Sequence, residues 1–456
     1  MANKKATFSS KIGLIATTVG SAVGLGNVWR FPAETQTNGG AAFLFVYILC
    51  LLLLGVPVML AEFSLGRGSK SDAVGAFIKL KPKTPWWLTG ALAVLASYLI
   101  LCFYMVVAGW TFEYLWQSIT GNLYSTDLSQ AGMEASFHAK MESYICADIA
   151  PLINIYILIA VNIAVLLCGV QKGIERLSNI LMPMLFLLLL IFCGVSLSLP
   201  GSSEGIKFFL TPDFSKITPG VIINALGQAF FSLSLGMGIL ITYSSYFPKD
   251  TRLVKTAVTV SLLDLLVAVM MGIIIFPAVF SFGLNGAELR GTTLVFVTLP
   301  EIFAQMQFTQ LWSVLFFLLL FVAALTSTIS IAEVSVAWLQ DRYNRSRVSA
   351  TLIVMIPLFI LSTLCSLSFG SMKNFKIMGM TIFDFLDNLA TNIFLPIVSI
   401  LVCIFMGWVV KKGYFRNEIT NFGMLKGKSY PLINFVVKFL APPLILLILL
   451  SFFIKF

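Results

Sequence analysis

Long apolar runs separated by short polar segments recur along the whole chain. Many runs approach about 20 residues, roughly the length that an α-helix needs to cross a hydrocarbon core about 30 Å thick. The runs are continuously apolar and lack the alternation of a transmembrane β-barrel, so the pattern predicts an all-α polytopic membrane protein. We predict eleven spans, at about residues 11–35, 41–66, 87–119, 151–170, 176–199, 219–247, 253–281, 308–340, 348–368, 380–410 and 431–454.

Two of these runs are interrupted near their middle by glycines. The first run contains Gly24 and Gly26, and the sixth contains Gly236 and Gly238. Each glycine destabilises a helix by about 1 kcal/mol relative to alanine, so both helices are predicted to break. Broken backbone persists inside a bilayer only where it lines a cavity or contacts protein. Its carbonyls can bind a cation and its helix N-termini an anion, which predicts a site for Na⁺ and a carboxylate-bearing solute at the first break.

The two broken runs occupy matching positions, because each opens a group of five spans. Breaks at matching positions of two halves indicate an inverted-repeat transporter whose site lies near the bilayer midplane. The halves share no residue-level identity, so the spacing alone carries this prediction. The predicted divisions are a cytoplasmic N-terminal segment at 1–10, a first repeat at 11–199, a second repeat at 200–410 with external loops at 200–216 and 282–307, and a cytoplasmic loop with the last span at 411–456.

Composition and charge agree with a membrane transporter. Hydrophobic residues make up 58% of the chain and charged residues 11%, whereas soluble domains have about 25% charged residues. The net charge of +10 arises mainly from Lys and Arg in the predicted cytoplasmic loops. It therefore reports an orientation in the cell membrane, with the N-terminus inside and the C-terminus outside, and not a nucleic-acid partner. The spacing of the seven cysteines and His138 is not that of a metal site or a disulfide framework. The sequence shows no set of a nucleophile and a base that would indicate an enzyme.

Several side chains admit two interpretations from the sequence. Asp264 lies alone in an apolar run, where an ionised Asp costs about 2.5–3.5 kcal/mol. It is either a cation ligand or a protonated partner in a helix–helix hydrogen bond. Thr326 and Ser327 are either cation ligands or interhelical hydrogen-bonding groups worth about 0.6–2 kcal/mol. Met237, between two glycines, either fills a gap in the core or makes room for a bulky solute in a longer unwound segment.

Five segments carry a family pattern: residues 20–32 (GSAVGLGNVWRFP), 38–40 (NGG), 62–67 (EFSLGR), 230–236 (FFSLSLG) and 323–327 (AALTS). They resemble the neurotransmitter:sodium symporter family, the bacterial amino-acid transporters of LeuT type. The first segment is highly specific, and the resemblance extends over nearly the whole chain. It implies a 5+5 inverted-repeat helical bundle in which helices 1 and 6 are broken, with one additional span.

The resemblance implies two Na⁺ sites built from oxygen ligands, which suit this hard cation. Chloride-dependent relatives also bind Cl⁻, through residues that resemble Tyr47, Gln228 and Ser232. We expect Asp264 to supply that negative charge here, so that no Cl⁻ is required. The first Na⁺ site is completed by the substrate carboxylate and comprises Ala22, Asn27, Ser232 and Asp264; the second comprises Gly20, Val23, Ala323, Thr326 and Ser327.

The resemblance also implies a substrate site between the two breaks. Backbone N–H groups of Leu25 and Gly26, with the Tyr104 hydroxyl, would hold a carboxylate, and carbonyls of the two breaks would hold an ammonium group. We expect a large hydrophobic or aromatic L-amino acid, because no polar residue in the pocket suggests a second substrate charge. The remaining predicted substrate residues are Ala22, Ile100, Phe231, Ser232, Ser234, Met237 and Ile331.

A gate is implied on each side of this site. Phe231 and Tyr104 would form a lid beneath the external gate. The family usually has Arg where this chain has Lys5, and Lys lacks the bidentate fork of Arg, so the inner gate is expected to open more easily. The predicted gate residues are Arg30 and Asp387 outside, with Asp384 as a competing candidate, and Lys5, Asp341 and Tyr246 inside, near Phe8.

The resemblance therefore implies a secondary active transporter that couples Na⁺ entry to amino-acid uptake by alternating access. By the same resemblance, Glu62 would support the inner ends of spans one and six, and Gly173 with Pro183 would let the inner part of span five unwind. A non-transporting amino-acid sensor of the same fold, or a symporter for another small zwitterion, remains an alternative. The expected partners are the amino acid, Na⁺ and the lipid bilayer, and the sequence does not define an oligomeric state.

Overall fold

The computed structural model describes residues 6–124, 132–284 and 291–453. Within these ranges, nine helices are long and apolar enough to cross a membrane, and a pair bent by 55°, Lys11–Ala22 and Gly26–Thr37, forms span one. The predicted sixth span is divided into the helices Pro219–Ser232 and Ile239–Ser245. The other spans, two to five and seven to eleven, are Ala41–Ser69, Trp87–Thr120, Ala150–Leu167, Val170–Leu197, Leu253–Ser281, Thr309–Tyr343, Arg347–Leu367, Ile382–Val409 and Tyr430–Phe453.

One predicted connection is wrong. Residues 171–176 were expected to link spans four and five, but the π-helical turn Val170–Glu175 runs directly into the rest of span five. The chain instead breaks at Gly169, whose φ of +81° lies in the left-handed region that glycine adopts readily. Polar residues at the start of a helix look like a loop in the sequence, although here they form its first turn.

Short helices occupy the segments between spans. Helix Ala73–Leu80 follows span two and begins at Asp72, whose carboxylate accepts from two backbone N–H groups of its first turn. Ser202–Leu210 and Gly291–Ala304 lie in the two segments that were predicted as external loops, and Met133–Ile145 lies between spans three and four. Helix Tyr414–Ile419 lies in the predicted cytoplasmic segment before span eleven.

The spans differ in how much of their surface the protein covers. Spans two, three, seven and eight are mostly buried, whereas spans four, five, nine and eleven expose much of their apolar surface. Span three packs along span eight. The second helix of span six, Ile239–Ser245, lies on the side predicted to be cytoplasmic and is here called the inner helix; it packs along span two. At the latter contact a Cβ on Gly66 would lie 1.9 Å from the carbonyl oxygen of Ile241, so these two helices touch backbone to backbone.

Candidate functional site

Span one breaks at the predicted glycines. Its first helix ends at Ala22, the next residue Val23 is extended with φ and ψ of −71° and 111°, and the chain becomes helical again at the π-helical turn Gly26–Arg30. A Cβ on Gly24 would lie 2.8 Å from the Ser327 hydroxyl and 3.1 Å from the Tyr104 hydroxyl. A glycine here therefore lets the main chain of the break approach spans three and eight closely.

Span six is unwound between its two helices. Ser234, Gly236 and Gly238 have φ values of 54°, 79° and 72°, and the left-handed conformation is costly for the serine. Two hydrogen bonds hold the segment: the Gly236 N–H donates to the Glu62 carboxylate at 2.8 Å, and the Ser234 hydroxyl donates to the Ser21 carbonyl at 2.8 Å. The second of these bonds joins the two breaks directly.

The three side chains predicted for the first cation site, Asn27, Ser232 and Asp264, lie together, and Tyr47, which was expected only at the chloride position of relatives, joins them. The Asp264 carboxylate accepts from the Ser232 hydroxyl at 2.7 Å, from the Asn27 amide at 2.8 Å and from the Tyr47 hydroxyl at 3.5 Å. Asp264 is fully buried. Across the described residues, no Lys or Arg nitrogen lies within 4.0 Å of it. A buried carboxylate with hydroxyl oxygens of Ser232 and Tyr47 beside it suits a hard cation such as Na⁺.

The residues predicted for the second cation site are also together, where spans one and eight meet. The Ser327 hydroxyl donates to the Val23 carbonyl at 3.4 Å, and the Thr326 hydroxyl lies 3.1 Å from the Ala323 carbonyl. A Cβ on Gly20 would lie 3.5 Å from the Thr326 side chain. These five residues offer only neutral oxygens, with no carboxylate among them.

A cavity of about 30 Å³ lies between the two breaks. The Leu25 N–H donates to the Tyr104 hydroxyl oxygen at 3.3 Å in its wall. Four further wall residues were not predicted to bind substrate: Ser21, Gly24, Ile239 and Ser327. The first three lie close in the chain to predicted substrate residues, and Ser327 was predicted only as a cation ligand. All ten predicted substrate residues line the cavity: Ala22, Leu25, Gly26, Ile100, Tyr104, Phe231, Ser232, Ser234, Met237 and Ile331.

A second cavity of about 710 Å³ lies beyond this one, on the side predicted to be external. Leu25, Gly26 and the two residues predicted as a lid, Tyr104 and Phe231, line both cavities. Arg30 and Asp387 line the larger cavity, together with Asp384.

The predicted ion pair between Arg30 and Asp387 is not formed in this structure. The Arg30 guanidinium lies 4.7 Å from the centre of the Phe231 ring, and its Nε lies 4.0 Å from the Glu34 carboxylate. Asp387 accepts from the Thr391 hydroxyl at 3.2 Å. Both charged groups thus contact side chains one turn away on their own helix, and these local contacts replace the predicted long-range one.

The predicted inner gate is only partly described, because Lys5 lies outside the described residues. Asp341 accepts from the backbone N–H of Asp72 at 2.8 Å. Tyr246 donates through its hydroxyl to the Glu333 carboxylate at 2.7 Å. Phe8 packs edge-on against Tyr246, with ring centroids 6.0 Å apart. Asp341 and Tyr246 therefore each have a hydrogen-bond partner that was not predicted, whereas Phe8 lies beside Tyr246 as the sequence analysis placed it.

Glu333 and Arg347 form an ion pair that the sequence analysis missed. Two guanidinium nitrogens of Arg347 lie 2.6 and 2.8 Å from the two carboxylate oxygens of Glu333, a bidentate geometry. Arg347 also donates to the Leu166 carbonyl at 2.7 Å, so spans four, six, eight and nine are connected here. Glu333 was detectable, because it is a single carboxylate in an otherwise uncharged part of span eight, as Asp264 is in span seven.

Two helices broken at matching positions around a central cavity, in a bundle with one additional span, define a membrane transporter of the LeuT fold. The model of the Sodium:neurotransmitter symporter family matches residues 5–143 and 139–456. The chain belongs to this family of sodium-dependent transporters, and it is not an enzyme.

Relatives and solved structures agree with this assignment. An uncharacterized sodium-dependent transporter, YhdH from Bacillus subtilis, is 38% identical over 451 residues, 98% of each chain. An uncharacterized sodium-dependent transporter from Haemophilus influenzae is 35% identical over 459 residues, again 98% of each chain. The crystal structure of MhsT in complex with L-phenylalanine superposes with a TM-score of 0.88 and 42% identity, over 98% of this chain and 100% of that one.

Proposed function

We propose that this transporter takes up large hydrophobic or aromatic L-amino acids together with Na⁺, by alternating access and without a requirement for Cl⁻. It would lie in the cell membrane with its N-terminus inside and its C-terminus outside. Two Na⁺ ions would accompany each substrate. Since each charge that crosses a potential of 100 mV contributes about 2.3 kcal/mol, two ions supply ample drive for uptake.

The environment of Asp264 is the observation that carries this proposal. Its carboxylate is fully buried, accepts three hydrogen bonds, and has no Lys or Arg partner among the described residues. An uncompensated charge at this depth is costly, so a bound cation is the natural counter-charge. A fixed carboxylate beside Tyr47 and Ser232, two of the residues with which relatives are expected to hold Cl⁻, supports independence from Cl⁻.

Both ends of a zwitterion find complementary groups at the central cavity. The break in span one offers the N–H groups of Leu25 and Gly26, close to the Tyr104 hydroxyl, which suit a carboxylate. The C-terminal end of the outer helix of span six, at Phe231 and Ser232, presents carbonyls that suit an ammonium group. The substrate carboxylate would also complete the first Na⁺ site, so substrate and ion would bind together.

The side chains of the cavity favour an apolar substrate. Ile100, Met237, Ile239 and Ile331 contribute apolar surface, and no lining residue carries a charge. A bulky substrate requires the Met237 side chain and the Phe231 ring to move aside, which the rotatable bonds of methionine permit. The binding of L-phenylalanine by MhsT supports the same substrate class.

Uptake into proteoliposomes tests the proposal. We expect an inward Na⁺ gradient, and not a K⁺ gradient, to drive accumulation of labelled L-phenylalanine. In a panel of all twenty amino acids, tryptophan, tyrosine, phenylalanine and leucine should compete more strongly than glycine and alanine. Binding without uptake would indicate a sensor, and competition by none of the amino acids would indicate another zwitterion.

A further inference from the structure

Residues 7–10, here called the strap, run across the inner ends of spans five and six before span one begins. The Phe8 N–H donates to the Tyr246 carbonyl at 3.1 Å, and its buried ring lies edge-on to Tyr243 and Tyr246. The Gln171 side-chain amide donates to the Thr7 carbonyl at 2.6 Å. The strap therefore contacts the inner helix of span six on one side and the first turn of span five on the other.

Glu175 holds the other end of the strap. Its carboxylate accepts from the Ser9 N–H and hydroxyl, both at 2.8 Å, and from the Ser10 N–H and hydroxyl at 3.1 and 3.3 Å. Glu175 is 1% exposed. No Lys or Arg nitrogen in the described ranges lies within 4.0 Å of it. Hydrogen bonds from the strap thus provide the direct stabilisation of a buried carboxylate.

The start of span one depends on the same group. The Ser10 hydroxyl accepts from the Gly13 N–H at 2.9 Å, which caps the helix Lys11–Ala22. A Cβ on Gly13 would lie 2.0 Å from a Glu175 oxygen, so the carboxylate rests directly against the first turn of this helix. A negative charge at a helix N-terminus is favourable, which adds to the hold of Glu175 on span one.

We propose that Glu175 is a positioning residue for transport: it fastens the strap across the cytoplasmic side of the site, and the strap must leave Glu175 before that side opens. This inference rests on the alternating-access transport proposed above. Phe8 cannot leave Tyr243 and Tyr246 as part of a moving strap while Ser9 and Ser10 remain bound to span five. Release from Glu175 would free Ser9, Ser10 and the start of span one together, because this one carboxylate binds both serines and lies against Gly13. It would leave Gln171 as the remaining link between the turn Val170–Glu175 and the strap.

Glutamine cannot replace Glu175 in this role. Its side chain has one acceptor oxygen in place of two, and its NH₂ group would face donors of the strap. We therefore expect Glu175→Gln to loosen the strap while leaving the central cavity intact. Glu175→Asp keeps the charge on a shorter side chain and should restore part of the wild-type behaviour.

Hydrogen–deuterium exchange of the full chain in lipid nanodiscs, with Na⁺ and L-phenylalanine present, tests this inference. In Glu175→Gln, residues 6–15 and 170–176 should exchange about tenfold faster than in wild type, because charge-assisted hydrogen bonds are lost there. Exchange around residues 232–238 should stay unchanged. Glu204→Gln, at an exposed position in Ser202–Leu210, is the matched control and should exchange as wild type does.

Transport kinetics distinguish a role of Glu175 in opening from a role in stability alone, because the maximal uptake rate and KM should respond differently. Glu175→Gln should change the maximal uptake rate at least about threefold while KM for L-phenylalanine stays within about twofold, since the strap does not contact the central cavity. Glu175→Asp should lie between the two. Unchanged exchange of residues 6–15 in Glu175→Gln, or exchange raised equally throughout the chain, would overturn the proposal.

A second variant covers the case in which Glu175→Gln does not fold. Ser9→Ala removes one hydroxyl donor to Glu175 and keeps the carboxylate, the two backbone donors and the Ser10 cap of span one. Exchange of residues 6–15 should then rise about threefold, as for the loss of a weaker contact, and no rise would contradict the role of Glu175. If wild type shows no uptake but the exchange results hold, the proposed function fails and the fastening of the strap by Glu175 stands.

Discussion

The two predicted cation sites adjoin the broken part of span one, the first where it meets span seven and the second where it meets span eight, and they differ in their charge. At the first, Asp264 brings a full negative charge together with the side chains of Asn27 and Ser232. At the second, Thr326 and Ser327 join main-chain carbonyls, and every ligand is neutral. The same stretch of unwound backbone thus faces a fixed anion in one direction and only dipoles in the other.

This difference implies different roles for the two sites. A cation beside Asp264 neutralises a buried charge, so removing it leaves a strongly unfavourable carboxylate behind. A cation at the second site leaves behind neutral hydroxyls and carbonyls, which can hydrogen-bond within their own helices, as Thr326 does with Ala323. We therefore expect the second site to release its ion at a lower free-energy cost, and we expect the first site to need a bound ion whenever Asp264 is charged.

Removing the charge of Asp264 should have the largest effect. Asp264→Asn keeps the size of the side chain but loses the anion, and we expect Na⁺-driven uptake efficiency to fall about 100-fold, for roughly 3 kcal/mol of lost charged interaction. The measurement is initial uptake of labelled L-phenylalanine into proteoliposomes. Asp213→Asn, at an exposed position, should behave as wild type. Uptake by Asp264→Asn within threefold of wild type would contradict the charged role of the first site.

Loss of the proposed contact between the Tyr104 hydroxyl and the substrate carboxylate should have the next largest effect, because that carboxylate is proposed to complete the first site. Tyr104→Phe removes a hydroxyl from the wall of the central cavity, and KM for L-phenylalanine should rise about tenfold, as for one hydrogen bond to a charged group. Tyr98→Phe is the control on the same span, since its hydroxyl donates instead to the Val354 carbonyl at 3.0 Å. Equal KM values for the two variants would rule out this contact.

A smaller effect is expected at the neutral second site. Thr326→Val removes one hydroxyl ligand, so the Na⁺ concentration for half-maximal uptake should rise about three- to tenfold, for roughly 0.5–1.5 kcal/mol. Thr328→Val is a matched control, because the buried Thr328 hydroxyl donates to the Leu325 carbonyl of its own helix. If Thr326→Val lowered uptake as much as Asp264→Asn, the two sites would not differ as proposed.

Chloride replacement should have the smallest effect, namely none. With Asp264 supplying the negative charge, exchange of external Cl⁻ for gluconate should leave the initial uptake rate of wild type unchanged. The comparison is made at a constant Na⁺ concentration and a constant membrane potential. Strong inhibition on removal of Cl⁻ would mean that the charge at Asp264 does not replace the anion.

The sequence was informative wherever a residue conflicted with its surroundings. Gly24, Gly236 and Gly238 conflict with a helix, and both helices break where these residues predicted. Asp264 conflicts with an apolar span, and it lies in a polar cluster with other predicted residues. Such conflicts are local in the sequence, so they can be detected without any knowledge of the fold.

Contacts between distant charged groups were less accessible. The partner of Arg30 depends on side-chain rotamers, and Glu34 on the same helix replaces the expected Asp387. The contacts of Glu175 with Ser9 and Ser10 join residues far apart in the sequence, and no local pattern indicates them. The ion pair of Glu333 and Arg347 likewise depends on how spans eight and nine pack across the turn between them, although Glu333 itself stood out.

The glycine at position 66 restricts how the inner half of span six can travel. Because main chain meets main chain there, with a Cβ position only 1.9 Å from the Ile241 oxygen, sliding of one helix along the other would bring bulky neighbouring side chains into the gap. Span two and the inner segment of span six are therefore expected to rotate as one rigid unit. Any opening towards the cytoplasm would then require rotation about the unwound residues between Ser232 and Ile239. The same residues would bind the solute and act as the hinge for its release.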